Sequence, residues 1–142
     1  MGNTDGRQTK EGGSLSANYS MGAFSVGYGE TRFAPAQALG VGNSAAVVVD
    51  FYENKGYSLG FAVNENLSVS FTEEESTKNQ KSKATATDVI TRTDKTMEIQ
   101  TIDVAYTVGG ATFSVSTSEA TNDSYVIGDD SNEHIFAMSL AF

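Results

Sequence analysis

The side chains that could support acid–base or metal chemistry are few, and they lie near one end of the chain. His134 is the only histidine, and Asp129, Asp130 and Glu133 precede it closely. A carboxylate beside an imidazole is an arrangement that general acid–base catalysts use. The chain has no cysteine, which excludes disulfides, thiolate metal ligands and cysteine nucleophiles. We interpret His134 as a surface loop histidine at the mouth of the last strand, without a catalytic role.

Two acidic clusters are the other candidates for ligand binding. Residues 73–75 are three consecutive glutamates, and Asp129 and Asp130 form the second cluster. Oxygen-rich loops can bind Ca²⁺, but neither spacing fits a calcium-binding loop, so we interpret both as solvated loop charge. The glycine-containing stretch 40–42 is followed by no helical pattern and predicts no nucleotide site. We therefore predict no enzyme activity, no metal and no cofactor.

Composition and charge narrow the class of protein. The 142 residues suffice for one domain with a sizeable core. The formal net charge of −9 argues against nucleic acid as a partner. No apolar run approaches the roughly 20 residues of a membrane helix, and the first residues have no apolar stretch typical of a secretory signal. Membrane β-strands give a much weaker signal than helices, so hydropathy leaves them possible.

Apolar and polar residues alternate along most of the chain, and no helical period competes with this alternation. Alternation of period two predicts β-strands with two different faces. The apolar members of each predicted strand occupy every second position: Leu15 to Tyr19, Phe24 to Tyr28, Tyr57 to Val63, Leu67 to Phe71, Ile102 to Val108, Ala111 to Val115, and Phe136 to Phe142. The sequence therefore predicts an all-β fold of about seven antiparallel strands.

Short and long connections alternate between these strands. Three are tight and contain Gly or Asn, as short hairpins prefer: Met21-Gly22, 64–66 and Gly109-Gly110. The others, roughly 34–44, 76–96 and 121–132, are long and polar. A meander with short turns at one end and long loops at the other is the architecture of outer-membrane barrels.

Residues 45–63 can be interpreted in two ways. Residues 53–56 resemble a hairpin turn, which would divide the segment into two strands. Division would reverse every later strand and move the 76–96 loop to the short-turn end. We prefer one long strand, with its apolar set on odd positions from Val47 to Val63 and its upper part projecting beyond the membrane.

Three stretches together resemble the general porins of the Gram-negative outer membrane. They are GYSLGFAVNENLSVSF at 56–71, VAYTVGGATFSVSTSEATND at 104–123, and the closing HIFAMSLAF at 134–142. The resemblance implies an antiparallel up-and-down transmembrane β-barrel. It further implies the outer membrane as location, a homotrimer, and passive diffusion of small hydrophilic solutes. In this family the last strand and its terminal aromatic, here Phe142, are recognised by the outer-membrane assembly machinery.

Seven strands depart from that pattern, because bacterial barrels have even strand numbers and water-filled ones need about 16. We therefore expect a single barrel domain over 1–142 that is the C-terminal part of a larger barrel. Residues 1–12 are expected to be a polar external loop, and residues 13–142 a meander of hairpins. The family's constriction loop would lie outside this part, so none of its residues is transferred.

The two faces of the predicted strands give two sets of candidate residues. The polar set would line the water: Ser58, Ser68, Ser70, Thr72, Thr101, Asp103, Thr107 and Ser114. The aromatic set would form girdles against the lipid bilayer at two heights: Tyr19, Phe24, Phe61, Tyr106 and Phe113 near the short turns, and Tyr28, Tyr57, Phe71 and Phe136 nearer the long loops. Asp103, as a carboxylate on the wet face, favours cations.

A second function fits the same pattern. A small non-conducting outer-membrane or surface β-protein could bind partners through its long loops, in an adhesive or structural role. The Ser-, Thr- and Asn-rich connections suit either function, and channel conductance discriminates between them.

Overall fold

The structure is a computed structural model, and it describes residues 7–38, 46–83 and 90–141. These residues form short and long β-strands: β1 (Arg7–Gln8), β2 (Glu11–Met21), β3 (Phe24–Ala34), β4 (Gln37–Ala38), β5 (Ala46–Ala62), β6 (Leu67–Lys83), β7 (Thr91–Val108), β8 (Ala111–Thr121) and β9 (Ser131–Leu140). A single 3₁₀ turn, Asp123–Tyr125, lies between β8 and β9. No helix in the described ranges is both long and apolar enough to cross a membrane.

Seven strands form one antiparallel sheet in the order β2-β3-β5-β6-β7-β8-β9. Each strand pairs with the next long strand of the chain, which confirms the predicted all-β, up-and-down topology. The short strands β1 and β4 pair separately with each other. Among the described residues β2 and β9 each have one paired side, so the seven-stranded sheet is open and is not a closed barrel.

The tight connections follow from their residues. Gly109 and Gly110 have φ values of +58° and +82°, the pair of positive values that a type I′ hairpin turn requires. In the turn between β5 and β6, the Asn64 side-chain oxygen accepts hydrogen bonds from the backbone N–H groups of Asn66 and Leu67, both at 2.9 Å. The three predicted tight turns are confirmed as short connections between paired strands.

The central strands are longer than their flanking neighbours. β5 is one strand of 17 residues, as preferred from the sequence. The predicted loop at 76–96 is wrong, because β6 continues to Lys83 and β7 starts at Thr91. Residues 76–82 pair with 91–97, so their backbone groups are satisfied within the sheet although their side chains are polar on both faces. Within the stretch expected to be loop at 1–12, Arg7 and Gln8 form β1 and β2 begins at Glu11.

A β-bulge interrupts the apolar alternation of β5. Val49 pairs with Gln80, while Phe51 pairs with the adjacent Asn79, so Asp50 is the extra residue. A bulge reverses the faces of the residues beyond it. The expectation that odd positions share one face from Val47 to Val63 is therefore wrong for the residues that precede the bulge. Val47 and Val49 lie on the face opposite to that of Phe51.

Candidate functional site

The cross-strand pairing gives the sheet two chemically distinct faces. One, which we call the apolar face, carries Phe24 opposite Phe61, then Val69, in an unbroken row across the strands. Its large side chains form the apolar band: Leu15, Tyr19 and Met21 of β2; Phe24, Val26 and Tyr28 of β3; Tyr57, Leu59 and Phe61 of β5; Leu67, Val69 and Phe71 of β6; Ile102, Val104, Tyr106 and Val108 of β7; Phe113 and Val115 of β8; and Phe136, Met138 and Leu140 of β9.

Nothing among the described residues covers this band. Sixteen of its side chains are between 36% and 72% exposed. Within the described part of the chain, Ala34 is the one buried hydrophobic residue. The described residues therefore form a single-layered sheet without a hydrophobic core, whereas a globular domain packs such a face against a second layer.

The opposite face, the polar face, carries all eight residues predicted to meet water. The side chains on it bond to one another across the strands: Ser70 donates to Asp103 (3.4 Å), and the hydroxyl pairs Thr101–Ser118 and Thr107–Thr112 are each 2.9 Å apart. The predicted set occupies alternate positions of β5 to β8: Ser58, Ser68, Ser70, Thr72, Thr101, Asp103, Thr107 and Ser114.

Both faces carry shallow concavities. Those of about 640, 270 and 300 Å³ lie on the polar face, and one of about 450 Å³ lies on the apolar face beside the upper ends of β2 and β3. At position 27 an added Cβ atom would lie 2.7 Å from the Asn18 side-chain oxygen and against the Ser58 hydroxyl, so these two polar side chains would have to shift. The polar side chains of β2 and β5 thus pack closely over Gly27.

The predicted aromatic residues share the apolar face, and two pairs of their rings are in contact. Phe24 and Phe61 stack with ring centroids 4.6 Å apart near the short turns, and Tyr28 and Tyr57 lie 5.2 Å apart nearer the long loops. Along the pairing register, however, Tyr19 is level with Phe71, and Phe136 is level with Phe24 and Phe61. The two predicted groups therefore lie at separate heights only if the strands are tilted. Phe142, the predicted assembly signal, lies outside the described residues.

The upper edge of the apolar band crosses the sheet obliquely. Leu15 and Phe136 are the uppermost residues of the band on the two edge strands, β2 and β9. Followed from partner to partner across the strands, Leu15 is level with Glu75 of β6, whereas Phe136 is level with Val69 of β6. The edge thus descends six residues over six strand-to-strand steps, or one residue per step. With about 3.3 Å per residue and about 4.8 Å between strands, a level band requires the strands to tilt by about 35°.

Charged residues begin directly beyond the band. Glu30, Lys55 and Glu75 follow one another across β3, β5 and β6, and the Lys55 ammonium lies 2.7 Å from Glu53. Gln100 donates to Glu73 at 3.4 Å. The apolar face is therefore divided sharply into an apolar and a charged zone.

Asp50 joins three strands at the bulge. Its carboxylate lies 2.6 Å from the Lys81 ammonium and 3.3 Å from the Arg92 guanidinium. Burial by itself would raise the pKa of Asp50, but hydrogen bonds from Lys81 and Arg92 outweigh it and hold the pKa below its usual value. The bulge thus places a charged clamp across β5, β6 and β7.

The candidates for chemistry are dispersed. His134 is exposed and lies within β9, not in a loop, and its Nδ1 is 3.2 Å from the Thr117 hydroxyl. The glutamates at 73–75 are strand residues, not loop residues, and they alternate between the two faces. No group of three potential metal ligands occurs in the described part of the chain. Residues 40–42 lie outside the described ranges.

A contact missed from the sequence is that of Tyr125, whose hydroxyl lies 2.7 Å from Ser76 on the polar face. Its one signal in the sequence is an aromatic residue alone in a polar connection.

Comparison with known protein families, curated proteins and solved structures finds no match. Functional inference therefore rests on the two faces of the sheet.

Proposed function

We propose that this chain forms part of the wall of a water-filled β-barrel channel in an outer membrane, through which small hydrophilic solutes and ions diffuse passively. One observation carries this proposal: the apolar face is uncovered, while the opposite face is lined by hydrogen-bonded polar side chains. A bilayer in contact with the apolar face and water in contact with the polar face satisfy both at once.

The magnitude of the uncovered surface supports a lipid environment. Complete burial of one large apolar side chain is worth about 1.5–3 kcal/mol, so a half-exposed one forgoes about 1 kcal/mol. Sixteen such side chains on the apolar face then leave roughly 15 kcal/mol unrealised in water, as much as the whole net stability of an ordinary domain. Contact with lipid would recover this free energy.

The oblique edge of the band also supports a barrel. Strands of closed barrels tilt by about 35–45° from the barrel axis, and a level band on this sheet needs about 35°. A sheet packed against a second layer in water has no reason to level its apolar zone in this way.

The strand directions restrict how the barrel closes. Six antiparallel pairings separate β2 from β9, so these two edge strands run in the same direction. They cannot complete an antiparallel ladder with each other, nor with a second copy in the same membrane orientation. We infer that the strands that close the barrel are odd in number.

Cysteine scanning along β7 tests the assignment of the faces, since the chain has no native cysteine. Each residue from 101 to 108 of the full-length protein is replaced in turn, and the labelled protein is reconstituted into phospholipid vesicles. We expect fluorophores at even positions to be quenched by nitroxide lipids, and odd positions to react with a water-soluble maleimide. Equal behaviour at both parities would overturn the proposal, and single-channel recording in planar bilayers then tests conduction directly.

The adhesive or structural alternative has one supporting observation. β5, β6 and β7 extend beyond the charged edge as a three-stranded projection about eight residues long. Its β6 part is polar at every position, whereas its β5 part contains the apolar residues 47–49, Phe51 and Tyr52. Such a projection is suited to contact other molecules at a cell surface. A membrane-inserted protein that gives no conductance would favour this alternative.

A further inference from the structure

The connection between β8 and β9 folds back over the polar face. We name residues 122–130 the inner loop. Its Tyr125 side chain crosses β7 and reaches β6, where the Tyr125 and Ser76 hydroxyls are 2.7 Å apart. The Tyr125 ring lies 6.0 Å from the ring of Tyr52 on β5, and the Lys78 ammonium lies 4.3 Å from its centroid. The loop therefore spans two strand spacings, about 10 Å.

The hydrogen bonds beneath Tyr125 have a defined direction. The Ser76 hydroxyl donates to the Asn54 side-chain oxygen at 2.5 Å, and Asn54 donates to the Thr31 hydroxyl at 3.0 Å. A serine hydroxyl has one proton, so Tyr125 is the donor to Ser76. The resulting chain of hydrogen bonds runs from the inner loop across β6 and β5 to β3.

The inner loop has an unusual and well-supported backbone. Asn122, Ser124 and Tyr125 have φ values of +54°, +56° and +62°, a region that costs non-glycine residues free energy and often marks functional segments. The Asn122 side chain bridges the loop to β7, because it donates to the Thr96 carbonyl (3.3 Å) and accepts from the Gly128 N–H (2.9 Å). The loop is thus held in one conformation over the polar face.

The carboxylates of the inner loop are also fixed in part. Asp123 accepts a hydrogen bond from the Ser131 hydroxyl at 2.7 Å, which together with bonds from Ser124 outweighs desolvation and holds the pKa of Asp123 below its usual value. Asp130 accepts from the Asn122 N–H at 3.0 Å. With Asp129, the loop carries three carboxylates and no basic residue.

We propose that the inner loop narrows the loop-side mouth of the channel. This inference rests on the proposed function. Ser76 lies five residues beyond Phe71 along β6, about 16 Å along the strand and about 13 Å above the band at a tilt of about 35°. The constriction is therefore in the mouth, outside the bilayer.

Planar-bilayer recording of the full-length protein tests this inference. In Tyr125→Ala the anchor is lost, so we expect roughly a twofold rise in conductance and passage of larger polyethylene glycols. Tyr125→Phe keeps the ring contacts but loses the bond to Ser76, so we expect a smaller rise; it also serves if the alanine variant folds poorly. Ile127→Ala is the matched control, because Ile127 is 82% exposed, and its conductance should not change.

Hydrogen exchange gives an independent readout. Amide exchange of residues 122–130 should accelerate in Tyr125→Ala. A conducting parent whose Tyr125→Ala variant is unchanged in conductance and exchange would overturn the inference and leave the proposed function intact. A parent that inserts but does not conduct would overturn both.

Discussion

Replacing Val104 with Arg should destabilise the membrane-inserted protein strongly. Val104 lies within the apolar band of β7, between Val69 and Val115, and is 36% exposed. An arginine on the lipid face near the bilayer midplane costs about 2–4 kcal/mol, which is about a 30-fold to 900-fold loss in the folding equilibrium constant. If this face were instead in water, the substitution would change the stability by only about 0.5 kcal/mol.

Ser114→Arg is the matched control for this experiment. Ser114 lies on the polar face of the neighbouring strand, between Ala105 and Ala137, whose small side chains leave room for arginine. We expect the control to keep near-parental stability. Urea unfolding of the full-length protein in phosphatidylcholine vesicles, followed by heat-modifiable gel migration, measures both variants. Equal losses at Val104 and Ser114 would refute the assignment of the faces.

The dimensions, the charged clamp and the hairpin turns give three further predictions. The apolar band spans five to seven residues per strand, which is about 14–19 Å along the membrane normal at a 35° tilt. The yield of folded protein should therefore be higher in vesicles of short-chain lipids than in vesicles of long-chain lipids. A yield that does not depend on lipid chain length would contradict this. Asp50→Asn should lower the urea midpoint of unfolding at pH 7. The low pKa of Asp50 contributes stability above about pH 4, and this contribution is lost as pH falls through the folded-state pKa. If the variant is still less stable than the parent below that pH range, the clamp is contradicted. Gly109→Ala should cost about 1–2 kcal/mol in urea unfolding because its φ is +58°, whereas Gly29→Ala, with open space around the added methyl group, is the control; equal effects would contradict the turn assignment.

Several features of the fold follow from local residue patterns. The alternation of Phe24, Val26 and Tyr28 with small residues predicts a strand with two faces, and the pairing register confirms it. Paired glycines at 109 and 110 predict the type I′ turn, because no other residue adopts positive φ so readily. Order along the chain predicts the meander, since consecutive strands joined by tight turns pair as hairpins.

Strand length is less accessible from the sequence. Residues 76–83 are polar at every position, and this composition predicts a loop. They form strand because β5 and β7 supply backbone partners on both sides. Where water reaches both faces, the side-chain pattern carries no information on whether the backbone is paired.

The sequence by itself determined which side chains share a face, because alternation is a property of the strand alone. The tertiary structure decided how those faces are used. The bulge at Asp50 reverses the faces of Val47 and Val49 because an extra residue is accommodated only against a paired neighbour. The oblique apolar band depends on the register of six strand pairs, and the position of Tyr125 over Ser76 joins residues 49 positions apart. Both depend on contacts between distant segments, which no local pattern encodes.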